Sequence, residues 1–266
     1  MKKKVIVFPE IAKLKEEVDR ARTELSMALF EYDELRFIIC KNLETKFFIE
    51  FGAIEYKLYE AQCLEARLRR KIELIQAKKN RQEKIDFAEI DAILDVELEE
   101  YNKELGKRLG NMNEALERRN LERLSDEDTK ELKTLYRQIV KALHPDLNPD
   151  LPEAKQELFN NAVQAYKNGD LETIRTISLI ASDEIPAYEK EDVRVQLLKD
   201  RERILDRSYR VRGAIEVLKE DFPYNMKEIL ESEEAIEERK KELEQGLVEF
   251  KEAVDRHKTK ILHIMR

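Results

Sequence analysis

Apolar residues recur at three- and four-residue steps along most of this chain, which is the periodicity of helices with one buried stripe. Ile11, Leu14, Val18, Ala21, Leu25, Ala28, Tyr32, Leu35 and Ile39 form an unbroken series of that kind. The spacing is the heptad pattern of a coiled-coil seam. A second stripe runs through Phe47, Phe51, Ile54, Leu58, Ala61, Leu68, Ile72 and Ile75, with Glu65 as its polar intruder. A reversal near Lys41 to Lys46 pairs the two stripes as an antiparallel hairpin over residues 1–84. Neither proline nor glycine marks that reversal, so one longer helix fits the pattern as well.

A further helix is predicted from Phe87 to Arg123, connecting the hairpin, over 85–124, to a short-helix region. At the far end, Leu197, Ile204, Val211 and Leu218 are spaced by sevens, as are Ile229, Ile236, Leu243, Phe250, His257 and Ile264. The turn-forming segment FPYN, Phe222 to Asn225, separates the two series. The pattern predicts a second antiparallel coiled-coil hairpin over 183–266, entered through a linker from Ala181 to Asp192 centred on Pro186. The Val5 to Phe8 run has strand-like residues but no partner run, and one short strand makes no sheet. The expected fold class is therefore all-α, with long antiparallel coiled-coil hairpins flanking a small helical module.

That module occupies residues 125–182. Leu132, Leu135, Tyr136, Ile139 and Leu143 mark the apolar stripe of one helix, while Lys130, Lys133, Arg137 and Lys141 repeat on another of its faces. Ser125, followed by Asp126, Glu127 and Asp128, supplies a capping side chain and first-turn acids. Pro145 ends the helix, because it lacks an amide hydrogen and disfavours helical geometry at His144 before it. Pro145, Pro149 and Pro152, half of the six prolines, fall in the loop that follows. Asp150 is placed to cap the next helix, whose stripe is Leu158, Phe159, Ala162, Ala165 and Tyr166. Gly169 stops it and Asp170 caps a third helix to about Ala181.

The helix ending in YRQIVKALHPD, Tyr136 to Asp146, and the Phe- and Tyr-bearing helix after it resemble the J domain of DnaJ-type co-chaperones. The resemblance spans residues 126–180, about a fifth of the chain. Phe159 and the run Gln164, Ala165, Tyr166 fall where such domains carry a packing Phe and an E-A-Y sequence. The usual short first helix is not recognisable, and a long upstream helix takes its place. Gln138 stands where many J domains are basic. The resemblance implies that His144, Pro145 and Asp146, with Lys130, Lys133, Arg137 and Lys141, contact a DnaK-type heat-shock chaperone and stimulate its ATP hydrolysis. The protein itself would then be no enzyme and have no catalytic residues. The helical arms would recruit an unidentified client or mediate assembly, and a heptad seam is satisfied within one chain or in a homodimer. No glycine/phenylalanine-rich linker, zinc region or β-rich substrate region accompanies the module, as in the specialised class of J proteins.

Composition narrows the alternatives. With 41% charged residues, no Trp and only six Gly in 266 residues, the chain has the make-up of long amphipathic helices. A net charge of −8 argues against a general nucleic-acid binder. Arg67, Arg69, Arg70, Lys71, Lys78, Lys79, Arg81 and Lys84 nevertheless form a basic stretch, which keeps an RNA- or ribosome-binding helical hairpin in view. A scaffold that retains a non-functional J-like fold is the other rival. His257 and His263 are six residues apart, unsuited to joint metal binding on a helix, and Cys40 and Cys63 are isolated. No cofactor, metal, membrane span or export signal is expected, which points to a cytoplasmic protein.

Overall fold

A computed structural model describes residues 9–120, 124–181 and 193–264. Among these residues every regular element is helical, so the protein is all-α. The run from Val5 to Phe8 and all but the first residue of the expected linker lie outside the described residues.

The first stripe forms α1 (Pro9–Glu34), a π-helical turn (Leu35–Ile39) and then α2 (Cys40–Asn80). The reversal expected near Lys41 to Lys46 does not occur, because those residues lie inside α2. Nothing there breaks a helix, and a π turn absorbs the change of phase between the stripes without ending the run. The helix expected from Phe87 to Arg123 is divided at Leu98 into α3 (Phe87–Glu97) and α4 (Glu99–Arg119). The module follows as α5 (Asp126–Leu143), α6 (Glu153–Asn168) and α7 (Leu171–Ala181). Next come α8 (Val193–Glu220), a 3-10 turn (Tyr224–Met226), α9 (Lys227–Glu231) and α10 (Glu233–Ile264).

These elements belong to two compact units, each discontinuous in sequence: Met1–Lys41 with Glu122–Tyr224, and Asn42–Leu121 with Asn225–Arg266. In the first unit, α1 and α8 lie side by side. Arg201 bonds Glu17 at 2.7 Å, Arg212 bonds Glu24 at 3.4 Å and Lys219 bonds Glu31 at 3.3 Å. Both residue numbers climb together, so the helices run parallel. Leu14, Val18 and Leu25 share their core with Leu197, Ile204, Val211 and Ile215.

The second unit contains a genuine helical hairpin. Lys71 bonds Asp91 at 2.7 Å and Arg67 bonds Asp95 at 2.7 Å, and further back along α2 Tyr59 stacks on Tyr101 with ring centroids 6.2 Å apart. One number falls as the other rises, so α2 and α3–α4 are antiparallel. Asp86 caps α3 by accepting from the amides of Ala88 and Glu89. On another side α2 accompanies α10, with Lys240 bonded to Glu50 at 2.8 Å and His257 to Glu65 at 3.0 Å. Phe47 and Phe51 are buried with Ile236 and Leu243, whereas Ile75, Ile90 and Leu94 form a separate core.

The two seven-residue series expected to face each other over 183–266 therefore bury in different cores, Leu197 to Val211 with α1 and Ile236 to Leu243 with Phe47 and Phe51. A heptad seam specifies that a partner helix is needed but not which one, and here each arm finds its partner among the N-terminal helices.

Candidate functional site

The α5–α7 module forms where its end signals predict. Ser125 Oγ accepts from the Asp128 amide at 3.0 Å and starts α5. Gly169, at φ 68°, takes the left-handed conformation that ends α6, and the Asp170 amide bonds back to the Ala165 carbonyl at 2.9 Å. Asp170 then caps α7 by accepting from the Thr173 amide at 3.0 Å. Asp150 does not cap α6, which begins after Pro152 without a side-chain cap. Arg175 of α7 grips Glu131 of α5 with two bonds of 2.7 Å.

An aromatic stack binds the module to α1. Tyr136 and Tyr166 lie face to face, centroids 4.0 Å apart and planes 6° from parallel, with Phe30 tilted against both at 6.4 Å. The Tyr136 hydroxyl donates to Asp33 Oδ2 at 2.7 Å. Burial raises the Asp33 carboxyl above its ordinary range, while that hydrogen bond and the nearby Arg36 and Lys167 oppose the shift. Thus α1 is a long helix against which α5 and α6 pack.

The His-Pro-Asp turn closes the α5–α6 hairpin. His144 adopts the extended backbone that the following proline demands, at φ −66° and ψ 129°. Its carbonyl accepts from the amides of Leu147 at 3.0 Å and Asn148 at 2.9 Å, and the Asn148 side chain donates to the Lys141 and Ala142 carbonyls. His144 Nδ1 accepts from the Asp146 amide at 3.0 Å, and its ring packs edge to face with Phe159, centroids 4.9 Å apart. An accepting Nδ1 places the ring proton on Nε2. Burial pushes the His144 pKa down to about 4; Asp146 opposes that shift and Arg207 adds to it. The imidazole is thus a neutral packing and hydrogen-bonding group at neutral pH.

Asp146 is not an open carboxylate. Arg207 Nε donates to its Oδ2 at 2.6 Å, and Arg203 Nη1 donates to its carbonyl at 2.7 Å, both from α8. Pro145 is exposed beside it. The basic residues divide between two surroundings. Lys133 Nζ bonds Glu34 of α1 at 2.5 Å, and the Arg137 guanidinium lies over the Phe30 ring, 4.4 Å from its centroid. Lys130, Arg137 and Lys141 are exposed. The face expected to meet only an outside partner is therefore partly turned to α1, because Glu34 and Phe30 offer an acid and a π surface there. No motif in the sequence singles out Arg203 and Arg207. Their spacing of four, one on each side of Ile204, places them together on α8, but no local pattern points to the turn.

Other sequence candidates resolve into packing. Arg70, Lys71 and Lys78 of the basic stretch are bonded to Glu97, Asp91 and Glu89 of α3. Arg67 is bonded to Asp95 of the same helix. The two polar interruptions of apolar stripes, Glu65 and His257, meet each other. Cys40 is buried and Cys63 is half-buried. Among the described residues no cluster of three or more His, Cys, Asp and Glu could hold a metal ion, and no helix is long and apolar enough to cross a membrane. In comparisons with known proteins, the chain matches no family model, no curated protein and no solved structure.

Proposed function

We propose that this chain is a J-domain-type co-chaperone that engages a DnaK-type heat-shock chaperone and stimulates its ATP hydrolysis, without being an enzyme itself. One observation carries the reading: the His-Pro-Asp turn is a built loop, in which His144 packs on Phe159 and fixes the Asp146 amide at 3.0 Å. A carboxylate preorganised in that way can take a guanidinium with little further ordering cost. Lys130 and Lys141 add an exposed positive surface on the helix before it, suited to steering toward an acidic partner. The helices outside the module would then recruit a client in the cytoplasm or mediate assembly.

The test is stimulation of ATP turnover by a purified DnaK-type chaperone. The wild-type chain should raise turnover and Asp146→Asn should return it to the basal rate. Stimulation that survives Asp146→Asn, or none from the wild-type chain, refutes the proposal. A second reading, a helical scaffold that keeps the module only for packing, is favoured by the Arg207 bond to Asp146 at 2.6 Å and by the Lys133 bond to Glu34 at 2.5 Å. Of the eight basic residues behind the RNA-binding alternative, Arg67, Arg70, Lys71 and Lys78 are bonded to acids of α3, which leaves Arg69, Lys79, Arg81 and Lys84 as the groups on which that reading would rest.

A further inference from the structure

We infer that α8 carries a cis-acting latch on the His-Pro-Asp turn: Arg207 occupies the Asp146 carboxylate, Arg203 holds the same residue by its main-chain carbonyl, and the latch must open before an outside guanidinium can take Arg207's place. This inference rests on the co-chaperone reading and adds regulation to the same residues. It stands on two bonds from α8 to this one residue: Arg207 Nε donates to the carboxylate Oδ2 at 2.6 Å, and Arg203 Nη1 donates to the main-chain carbonyl at 2.7 Å, so a guanidinium already sits on the side that an outside one would approach. The Asp146 side chain keeps only 22% of its surface exposed.

The helix that carries the arginines is firmly seated. Leu197, Ile204, Val211 and Ile215 of α8 are all buried in the core shared with α1. The guanidinium stems are therefore delivered to the turn from a fixed base. Their heads are not buried to the same degree, since 35% of the Arg203 side chain and 44% of the Arg207 side chain are exposed. Opening needs only rotation of two long side chains, and α8 need not leave α1. Arg203 has a second acceptor within reach, because its Nη2 lies 3.5 Å from Asp200 Oδ1. A guanidinium from a partner would replace Arg207 like for like, so the exchange is between equivalent charge-assisted bonds and leaves no buried charge unpaired.

A latch of this kind lowers apparent affinity by the fraction of molecules in the open state. The side chains are partly exposed, so the pair is partly screened and its effect is moderate. The experiment measures the concentration of this chain that half-maximally stimulates a purified DnaK-type chaperone, for the wild type, for Arg203→Gln with Arg207→Gln, and for each combined with Asp146→Asn. The double arginine variant should need roughly three- to tenfold less protein than the wild type, while Asp146→Asn silences both backgrounds. If the wild type stimulates through Asp146 and the arginine variant is equal or weaker, the latch is refuted and the co-chaperone reading stands; the arginines then merely hold the turn in place. If neither chain stimulates, or stimulation ignores Asp146, both ideas fall. Helicity and melting of the variant are recorded alongside, and Arg207→Ala alone, at a half-exposed helix position, should shift the same way if the double variant unfolds.

Discussion

Two helices of this protein carry basic residues at helical spacing, and the fold treats them differently. On α2, Arg67, Arg70, Lys71 and Lys78 each meet a carboxylate of α3, which presents Glu89, Asp91, Asp95 and Glu97 at matching steps. On α5, Lys133 meets Glu34, and Arg137, which lies over Phe30, stays exposed with Lys130 and Lys141. A basic stripe is thus a statement about one helix, and its meaning depends on what the neighbouring helix offers. Where an acidic helix of the same period lies alongside, the stripe becomes packing electrostatics. Where a single acid and an aromatic ring lie alongside, part of it remains free for something else.

The largest expected effect comes from removing what holds each basic helix against its neighbour. Tyr136 is wholly buried between Phe30 and Tyr166, and Ile90 is wholly buried with Ile75 and Leu94. Tyr136→Ala should cost about 3–5 kcal/mol and Ile90→Ala about 2–5 kcal/mol in denaturant unfolding, as core truncations usually do. Hydrogen exchange should show α5 loosened by the first and α3 by the second. A loss below about 1 kcal/mol for Tyr136→Ala would mean that the aromatic stack is not what seats α5 on α1.

An intermediate effect belongs to the α5 side alone and appears on acidification. His144 has a folded pKa of about 4 against an ordinary 6.5, so as pH falls the unfolded chain takes up its proton before the folded one does. Stability should therefore decline from about pH 6.5 to about pH 4 and cease to depend on this group below that. The loss from this one residue should reach at most about 3 kcal/mol, because each tenfold change in proton affinity is worth roughly 1.4 kcal/mol. His144→Gln should flatten the curve of stability against pH across that window. An unchanged slope in the variant would place the neutral-imidazole account of the turn in error.

How far the sequence could be read follows the same division between a helix and its neighbours. Ser125, Gly169 and Asp170 act as the end signals they resemble, because caps are local. Stripe residues such as Leu25, Ile75 and Ile204 are buried as their spacing requires. Partner choice was not legible, since the seam of α8 reads the same whether it meets α1 or α10. Glu65 and His257 were each visible as interruptions, but a stripe carries no record of which distant interruption will lie opposite. The contact of Asp146 with Arg203 and Arg207 spans 57 and 61 residues, and it depends on how α8 is rotated about its axis, which periodicity does not set against a loop.

The smallest effect gives the finest test of the comparison. Lys71 with Asp91 and Lys133 with Glu34 are both part-exposed lysine–carboxylate pairs, with the lysine side chains 19% and 37% exposed. Double-mutant cycles on Lys71→Met with Asp91→Asn, and on Lys133→Met with Glu34→Gln, should each return about 0.2–1 kcal/mol of coupling. The α2 pair should show the larger value, because Lys71 reaches both oxygens of Asp91, at 2.7 and 3.0 Å, and is the more enclosed. Added salt should shrink both couplings, since each pair has one well-exposed member, Asp91 at 41% and Lys133 at 37%. The comparison also has a functional edge. Lys133→Met should cost little stability whatever the protein does, so a large loss of chaperone stimulation in that variant would assign Lys133 to the partner contact despite its bond to Glu34. Equal couplings would instead show that the two basic faces differ in neighbours but not in energetics.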